Sequence, residues 1–279
     1  MSTAHGSDDA PAWGDLTHLT VERDPGDLAG VVLVTLDLPE RRNAMSEQMT
    51  ASWGAVMAGL RSDRSVRAVV VTGSGRAFCA GGDFSWLGAA PGASVPALRQ
   101  RMLGFYRTWL SVRDLPVPTI AAVNGAAIGA GLSVALACDI RIVADQARLA
   151  VPFTSLGLHP GMATTWLLRR ACGDTVARDM LLTGRALSGS EGAACGLMSR
   201  AVPAERVRAA ALEAAAAVAS AAPVATELTK AALAAGGPES FEAALAWEAI
   251  AQPVTLAMED LQEGLAAAQQ KRRAEFTGR

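Results

Sequence analysis

Four short apolar runs constrain this chain most: Val31–Leu36 (VVLVTL), Val66–Thr72 (VRAVVVT), Thr119–Val123 (TIAAV) and Ile140–Ala144 (IRIVA). They are apolar nearly throughout rather than alternating, the pattern of strands buried on both faces. Helical stretches lie between them. Ser46 is placed to cap a helix to about Leu60, with Glu47 in its first turn to suit the helix dipole. Leu98–Arg113 has helical periodicity and stops before Pro116 and Pro118, and a further helix is expected from Gly129 to about Ala137. Buried strands alternating with helices predict an α/β fold of βαβ units around a mostly parallel sheet. Beyond about Val202 the strand signals stop, and Glu205–Ala222, Ala225–Ala235, Phe241–Glu248 and Leu256–Ala274 read as helices. The expected organisation is a disordered start over residues 1–20, an α/β core over 21–202 and a helical region over 203–279. No internal repeat is visible.

Half of the residues are hydrophobic (51%), enough for a large core, and the excess comes from alanine, which suits closely packed helices. The 25 basic and 27 acidic residues nearly balance, so the chain offers no field for nucleic acid or an anionic membrane. Cys79, Cys138, Cys172 and Cys195 are scattered without a C-x-x-C pair and fit neither a disulfide framework nor a zinc site. They read as buried thiols in a reducing compartment. The first residues carry no charged-then-apolar signal, and the longest apolar runs are too short, interrupted or alanine-rich to span a membrane. A soluble, cytoplasmic protein without nucleic-acid or membrane partners is expected.

Two glycine-rich stretches each follow a buried strand: Arg76–Asp83 (RAFCAGGD) and Asn124–Gly131 (NGAAIGAG). Small residues after a strand let backbone approach a ligand, and amides at a following helix N-terminus point outward. Side by side, two such turns can supply a pair of N–H donors for one oxygen. Taken singly, each is equally a tight turn using glycine for its conformation. Neither is a phosphate loop: G-x-G-x-x-G and G-K-[ST] are both absent.

Six ordered segments carry a resemblance to the crotonase (enoyl-CoA hydratase/isomerase) superfamily. They are Pro39–Met45 (PERRNAM), Val69–Leu87 (VVVTGSGRAFCAGGDFSWL), Pro116–Ala144, Leu156–Gly161 (LGLHPG), Leu181–Leu197 and the tail Glu259–Phe276. The resemblance implies a β-β-α spiral core with a helical C-terminal region, assembled as a homotrimer or dimer of trimers. It implies an acyl-CoA partner, with coenzyme A as part of the substrate and no prosthetic group. The shared device of the family is a pair of backbone N–H groups holding the thioester oxygen while an enolate forms, and here those donors fall at Gly82 and Ala130. Contacts to the substrate are implied near Arg41, at Arg42 and Ala44, around Ala80 and Asp83, and from Lys271 and Phe276 in the tail. Trp86 and Trp166 are candidates to line the acyl pocket, and Asp139 reads as structural.

One departure bears on the reaction. The two glutamates of the family's hydratases align with Ser133 and Phe153, and the acid of many of its isomerases aligns with Gly161. A hydroxyl, a ring and a hydrogen stand at those places. His159 is left as the candidate acid or base, since imidazole titrates near neutrality, and Ser133 as a candidate to position water. Three readings stay open: an enzyme acting on an acyl-CoA through an enolate, including a hydrolase or C–C-cleaving member; an acyl-CoA-binding protein without catalysis; and a structural oligomer.

Overall fold

The four buried runs become the middle of one sheet. The computed structural model describes residues 13–83, 92–234 and 237–279. Its strands are β1 (Leu19–Arg23), β2 (Val31–Leu36), β3 (Ala68–Gly73), β4 (Ala77–Cys79), β5 (Thr119–Val123), β6 (Ala126–Ile128), β7 (Ile140–Ala144), β8 (Leu149–Ala150) and β9 (Arg200–Val202). The main sheet has the order β1-β2-β3-β5-β7-β9. β1 is antiparallel to β2 and the other neighbours are parallel, with Val69 opposite Thr119 and Ile120 opposite Ile140. A second, parallel sheet has the order β4-β6-β8.

The helices are α1 (Glu47–Ser62), α2 (Val95–Leu110), α3 (Ala130–Ala137), α4 (Thr164–Thr183), α5 (Gly189–Ala194), α6 (Val207–Ala219), α7 (Pro223–Leu233), α8 (Phe241–Leu256) and α9 (Glu259–Gln270). Ser46 caps α1 as expected, its hydroxyl accepting from the Met49 amide at 3.1 Å. In α6, Val207, Ala211 and Ala215 recur at one-turn spacing with Ala210 beside them, and this buried stripe lies on β3, β5 and β7. Val69, Val70 and Val71 are completely buried, as expected of strands covered on both faces.

The sequence shows no repeat, but the architecture has one. A long strand, a short strand and a helix recur as β3-β4-α2, β5-β6-α3 and β7-β8-α4. Each turn of this spiral adds one strand to each sheet. Strands of two or three residues carry no periodicity, so β4 and β6 are hidden inside the two glycine-rich stretches. The expectation of a disordered start over residues 1–20 is corrected in its second half. Trp13 and Leu16 pack on the core, the Thr17 amide donates to Ser52 Oγ at 2.8 Å, and β1 begins at Leu19. The burial of β1 does not alternate cleanly, so its sequence carries no strand signal. Residues 1–12 lie outside the described residues.

The chain is helical after β9. Its tail folds back on α9, where the buried Asp260 carboxylate accepts from the amides of Thr277 (2.8 Å) and Gly278 (2.9 Å). Arg272 pairs with Glu263 at 2.6 Å. Among the described residues no single helix is long and apolar enough to cross a membrane.

Candidate functional site

The site is built around a loop held by one buried side chain. Asn43 is completely buried; its Oδ1 accepts from the Leu38 amide at 2.9 Å and its Nδ2 donates to the carbonyls of Ser74 (2.9 Å) and Ala77 (2.8 Å). Arg42 and Asn43 both have left-handed backbone (φ 52° and 55°), a strained conformation for residues with a Cβ that these hydrogen bonds maintain. The loop then zips onto the chain leaving β4: the Ala80 amide donates to Arg42 O at 2.9 Å and the Met45 amide to Gly81 O at 2.9 Å. The resulting open cleft of about 420 Å³ is lined by Glu40, Arg41, Arg42, Ala44, Ala80, Gly82 and Asp83. It therefore unites five residues that the sequence assigned to substrate: Arg42, Ala44, Ala80, Gly82 and Asp83. Asp83 is nearly buried and pairs with the half-exposed Arg41 at 2.7 Å. The carboxylate thus fixes a guanidinium at the mouth of the cleft.

β4 and β6 run parallel as neighbours, which carries the two glycine-rich stretches past each other. Gly81, at φ 93°, is where they meet: a Cβ there would lie 2.7 Å from Ile128 O and 3.4 Å from the Ala130 amide nitrogen. Only glycine fits both the backbone and the space. Gly82 follows, bridged to Met45 through the neighbouring residue's carbonyl, so its own N–H stays outside that bond. Ala130 is the first residue of α3, where amides have no acceptor within the helix. Two N–H groups thus stand on adjacent strand ends, one at the positive end of a helix dipole. The nearby Cys79 is completely buried, and burial pushes its thiol up to about 12, so it is no nucleophile near neutrality.

The three positions of the departure surround the start of α3. The Phe153 ring comes within 3.6 Å of where a Gly129 Cβ would be. Ser133, one turn into α3, is completely buried; its Oγ contacts Thr164 Oγ1 at 2.6 Å and Gly129 O at 3.2 Å, and Thr164 Oγ1 in turn donates to Gly161 O. Two hydroxyl protons serve these contacts best when Ser133 donates to Thr164 and Thr164 to Gly161. The candidate Ser133 is thereby engaged in tying α3 to the turn before α4. At that turn Met162 and Ala163 are again left-handed (φ 54° and 53°). Gly161 faces a side chain that the sequence reading missed. A Cβ at Gly161 would lie 2.4 Å from the hydroxyl oxygen of Tyr106, which reaches over from α2.

Other candidates lie elsewhere. His159 is exposed, its Nδ1 2.8 Å from Pro160 O. Lys271 is the exposed C-cap of α9, and Phe276 packs against Gly264 in a hollow shared with Ala222, Ala225 and Met258; the structure does not bring either tail residue to the cleft. Trp86 lies outside the described residues. Trp166 does not join this site: it stands between the guanidinium groups of Arg113 (5.3 Å) and Arg170 (4.9 Å) in a groove of about 930 Å³ beside α7. Asp139 accepts from the amide and hydroxyl of Thr119 at 2.7 and 2.8 Å and pairs with Lys230 at 2.9 Å, a structural clamp between β5, β7 and α7.

Comparison with known proteins adds to this geometry. A family model described as enoyl-CoA hydratase/isomerase matches residues 26–279. A probable enoyl-CoA hydratase of Mycobacterium tuberculosis is 50% identical over 154 residues, which are 55% of this chain and only 59% of that relative's length. A putative enoyl-CoA hydratase of Thermus thermophilus is 36% identical over 246 residues, 88% of this chain and 97% of the relative. Among solved structures, a putative enoyl-CoA hydratase from Streptomyces coelicolor A3(2) has a TM-score of 0.88 at 34% identity, covering 100% of both chains. The enoyl-CoA hydratase from Bacillus anthracis has a TM-score of 0.87 at 31% identity, over 94% of this chain and 100% of that one.

Proposed function

We propose, since the chain belongs to the enoyl-CoA hydratase/isomerase family of the crotonase superfamily, that it holds an acyl-CoA thioester with the carbonyl oxygen between the amides of Gly82 and Ala130. The observation that supports this most is the parallel pairing of β4 and β6, which sets Gly81 against Ala130 beside the cleft. Backbone donors aimed where charge develops stabilise an enolate oxygen more than the ground-state carbonyl, which is what accelerates a reaction. Each donor of such a pair is worth about 3–4 kcal/mol of transition-state stabilisation. The loop with Arg41, Arg42 and Ala44 forms the wall along which the coenzyme A part of the substrate lies, its phosphates toward the guanidinium groups.

Water addition across a straight-chain enoyl-CoA is not the reaction that this site favours. Hydration needs groups that deprotonate water and protonate Cα. Ser133 is buried with its hydroxyl bound to Thr164, and Phe153 sets an apolar ring against Gly129. The reading is an enolate-forming acyl-CoA enzyme of the family with altered acid–base chemistry.

The polarisation can be measured without knowing the reaction. A butyryl-CoA labelled with ¹³C at the thioester carbonyl, bound to the protein, is expected to show a downfield carbonyl shift. Gly82→Pro removes one N–H, so the shift should shrink while coenzyme A affinity measured by calorimetry largely persists. An unshifted carbonyl on the wild-type protein, or a full shift in a folded Gly82→Pro variant, excludes these donors.

A further inference from the structure

Two of the four cysteines depart from the expectation of buried thiols. Cys79 and Cys138 are buried, whereas Cys172 and Cys195 are half-buried at the edge of the core and line no part of the cleft. Cys172 ends the first arm of α4, because Gly173 directly after it leaves the helical course (φ 74°, ψ 172°). Cys195 is the C-cap of α5, and Gly196 directly after it is left-handed (φ 82°). The two bends meet. A Cβ on Gly196 would lie 3.1 Å from Ala171 O, so the residue following one cysteine rests against the residue preceding the other.

Among the described residues each sulfur is held only by a carbonyl of its own helix: Cys172 Sγ by Leu168 O at 3.2 Å and Cys195 Sγ by Gly192 O at 3.5 Å. A thiol is a weak donor, so these contacts leave both side chains free to turn. Burial, with the charge of Cys195 adding to it, pushes the Cys172 thiol up to about 11, so each sulfur lies within the other's electrostatic reach. The two sides differ in stiffness. The turn after Cys195 is pinned, with Arg141 Nε of β7 donating to Leu197 O at 2.9 Å and the Met198 amide to Gly192 O at 3.0 Å. The α4 side has a joint instead, and a Cβ on Gly173 would meet nothing within 4 Å. A disulfide needs Cα atoms about 4.4–6.8 Å apart, and rotation at this joint supplies the adjustment.

We propose that Cys172 and Cys195 are a modification site, a thiol pair that peroxides convert reversibly to a disulfide. One cysteine, as thiolate, attacks the O–O bond of hydrogen peroxide, becomes a sulfenic acid and releases hydroxide, which takes up a proton to give water. The other sulfur loses its proton and attacks the sulfenic sulfur; the S–O bond breaks, the S–S bond forms and a second water leaves. Two thiols and one peroxide thus give one disulfide and two waters, with two electrons passing from sulfur to oxygen. Exchange with a small dithiol reverses the step. The bridge closes the loop from residue 172 to residue 195, which holds the second arm of α4 and all of α5, and it locks the joint at Gly173. The first arm of that same helix begins at Thr164, whose hydroxyl meets Ser133 on α3.

The test treats the folded, full-length protein with hydrogen peroxide, blocks remaining thiols with iodoacetamide and digests with trypsin without reduction. Arg178 and Arg185 lie between the two cysteines, so residues 171–178 and 186–200 separate unless a bridge joins them. The expected result is a linked pair of these peptides, lighter than their sum by two hydrogens and parted by dithiothreitol, from a protein that still runs as a single chain on a gel without reductant. The oxidised protein should also melt at a higher temperature than the reduced one. In Cys172→Ser and in Cys195→Ser the remaining sulfur, without a partner, should pass on to the sulfinic acid that the wild type is spared. Three results overturn the proposal: sulfinic or sulfonic acid at Cys172 or Cys195 of the wild type in place of the link, a link that joins two chains, and both thiols still open to iodoacetamide after peroxide. None of these readouts involves an acyl-CoA, so the outcome is separate from the reading of the cleft.

Discussion

Replacing Asn43 by alanine would leave the Leu38 amide without its acceptor and take the Asn43 donor from the carbonyls of Ser74 and Ala77, the latter keeping only a long contact from Asn124 Nδ2 at 3.5 Å. Stranding buried polar groups costs about 1–3 kcal/mol each, and the left-handed turn at Arg42 would lose its support. Urea unfolding is expected to show a loss of about 2–4 kcal/mol, and calorimetry a weaker affinity for coenzyme A; a stability within 0.5 kcal/mol of wild type contradicts this role. A second residue-scale expectation concerns crotonyl-CoA. Its hydration, followed by loss of the enoyl absorbance, should run about 10²–10⁴-fold below a hydratase with positioned acid–base groups, since Ser133 and Phe153 offer none. Fast hydration by the wild type contradicts it. The two glycine-rich stretches were legible because each follows a strand signal, whereas the choice of Gly82 and Ala130 within them came from the family resemblance and stands as a proposal. Tyr106 was not legible, because its meeting with Gly161 depends on how α2 crosses the start of α4 and no local pattern records that crossing.

At the scale of elements, the tail is the piece whose attachment follows pH. Glu263 is held down to about 2, first by its hydrogen bonds with Arg272 and then by the Glu275 amide. A carboxylate with a depressed folded value supports its partners above the unfolded value near 4.5 and loses that support as pH falls toward about 2. The Glu275 amide resonance should therefore titrate within that window, with residues 272–278 becoming more mobile on the acid side. An amide indifferent to pH across it excludes this attachment. The strands from Val31 to Ala144 and the cap at Ser46 were readable because each carries its signal within a few residues. The second sheet was not. β8 has two residues, and β4 and β6 three each, so their pairing expresses contacts between distant segments. Helix α8 also outran the expectation of an end near Glu248, continuing to Leu256 with Pro253 inside it.

For the molecule as a whole, apolar surface on the last helices is the feature that looks outward. Leu233, Phe241 and Ile250 are each at least 70% exposed, and no residue of α8 is buried. Such surface is costly in water and is commonly covered by other copies of the chain. Light scattering at micromolar concentration is expected to give a trimer or a hexamer, and a monomer would contradict it. The small sheet β4-β6-β8 has a different consequence. Gly82 and Ala130 follow neighbouring parallel strands, so the gap between their amides is tied to the strand spacing of about 4.8 Å, a ruler made of main chain. Mutation can rewrite every side chain around the reacting carbon and leave that ruler alone. In a lineage built this way, proton carriers can be traded one at a time while the proposed donor pair stays where the two strands put it.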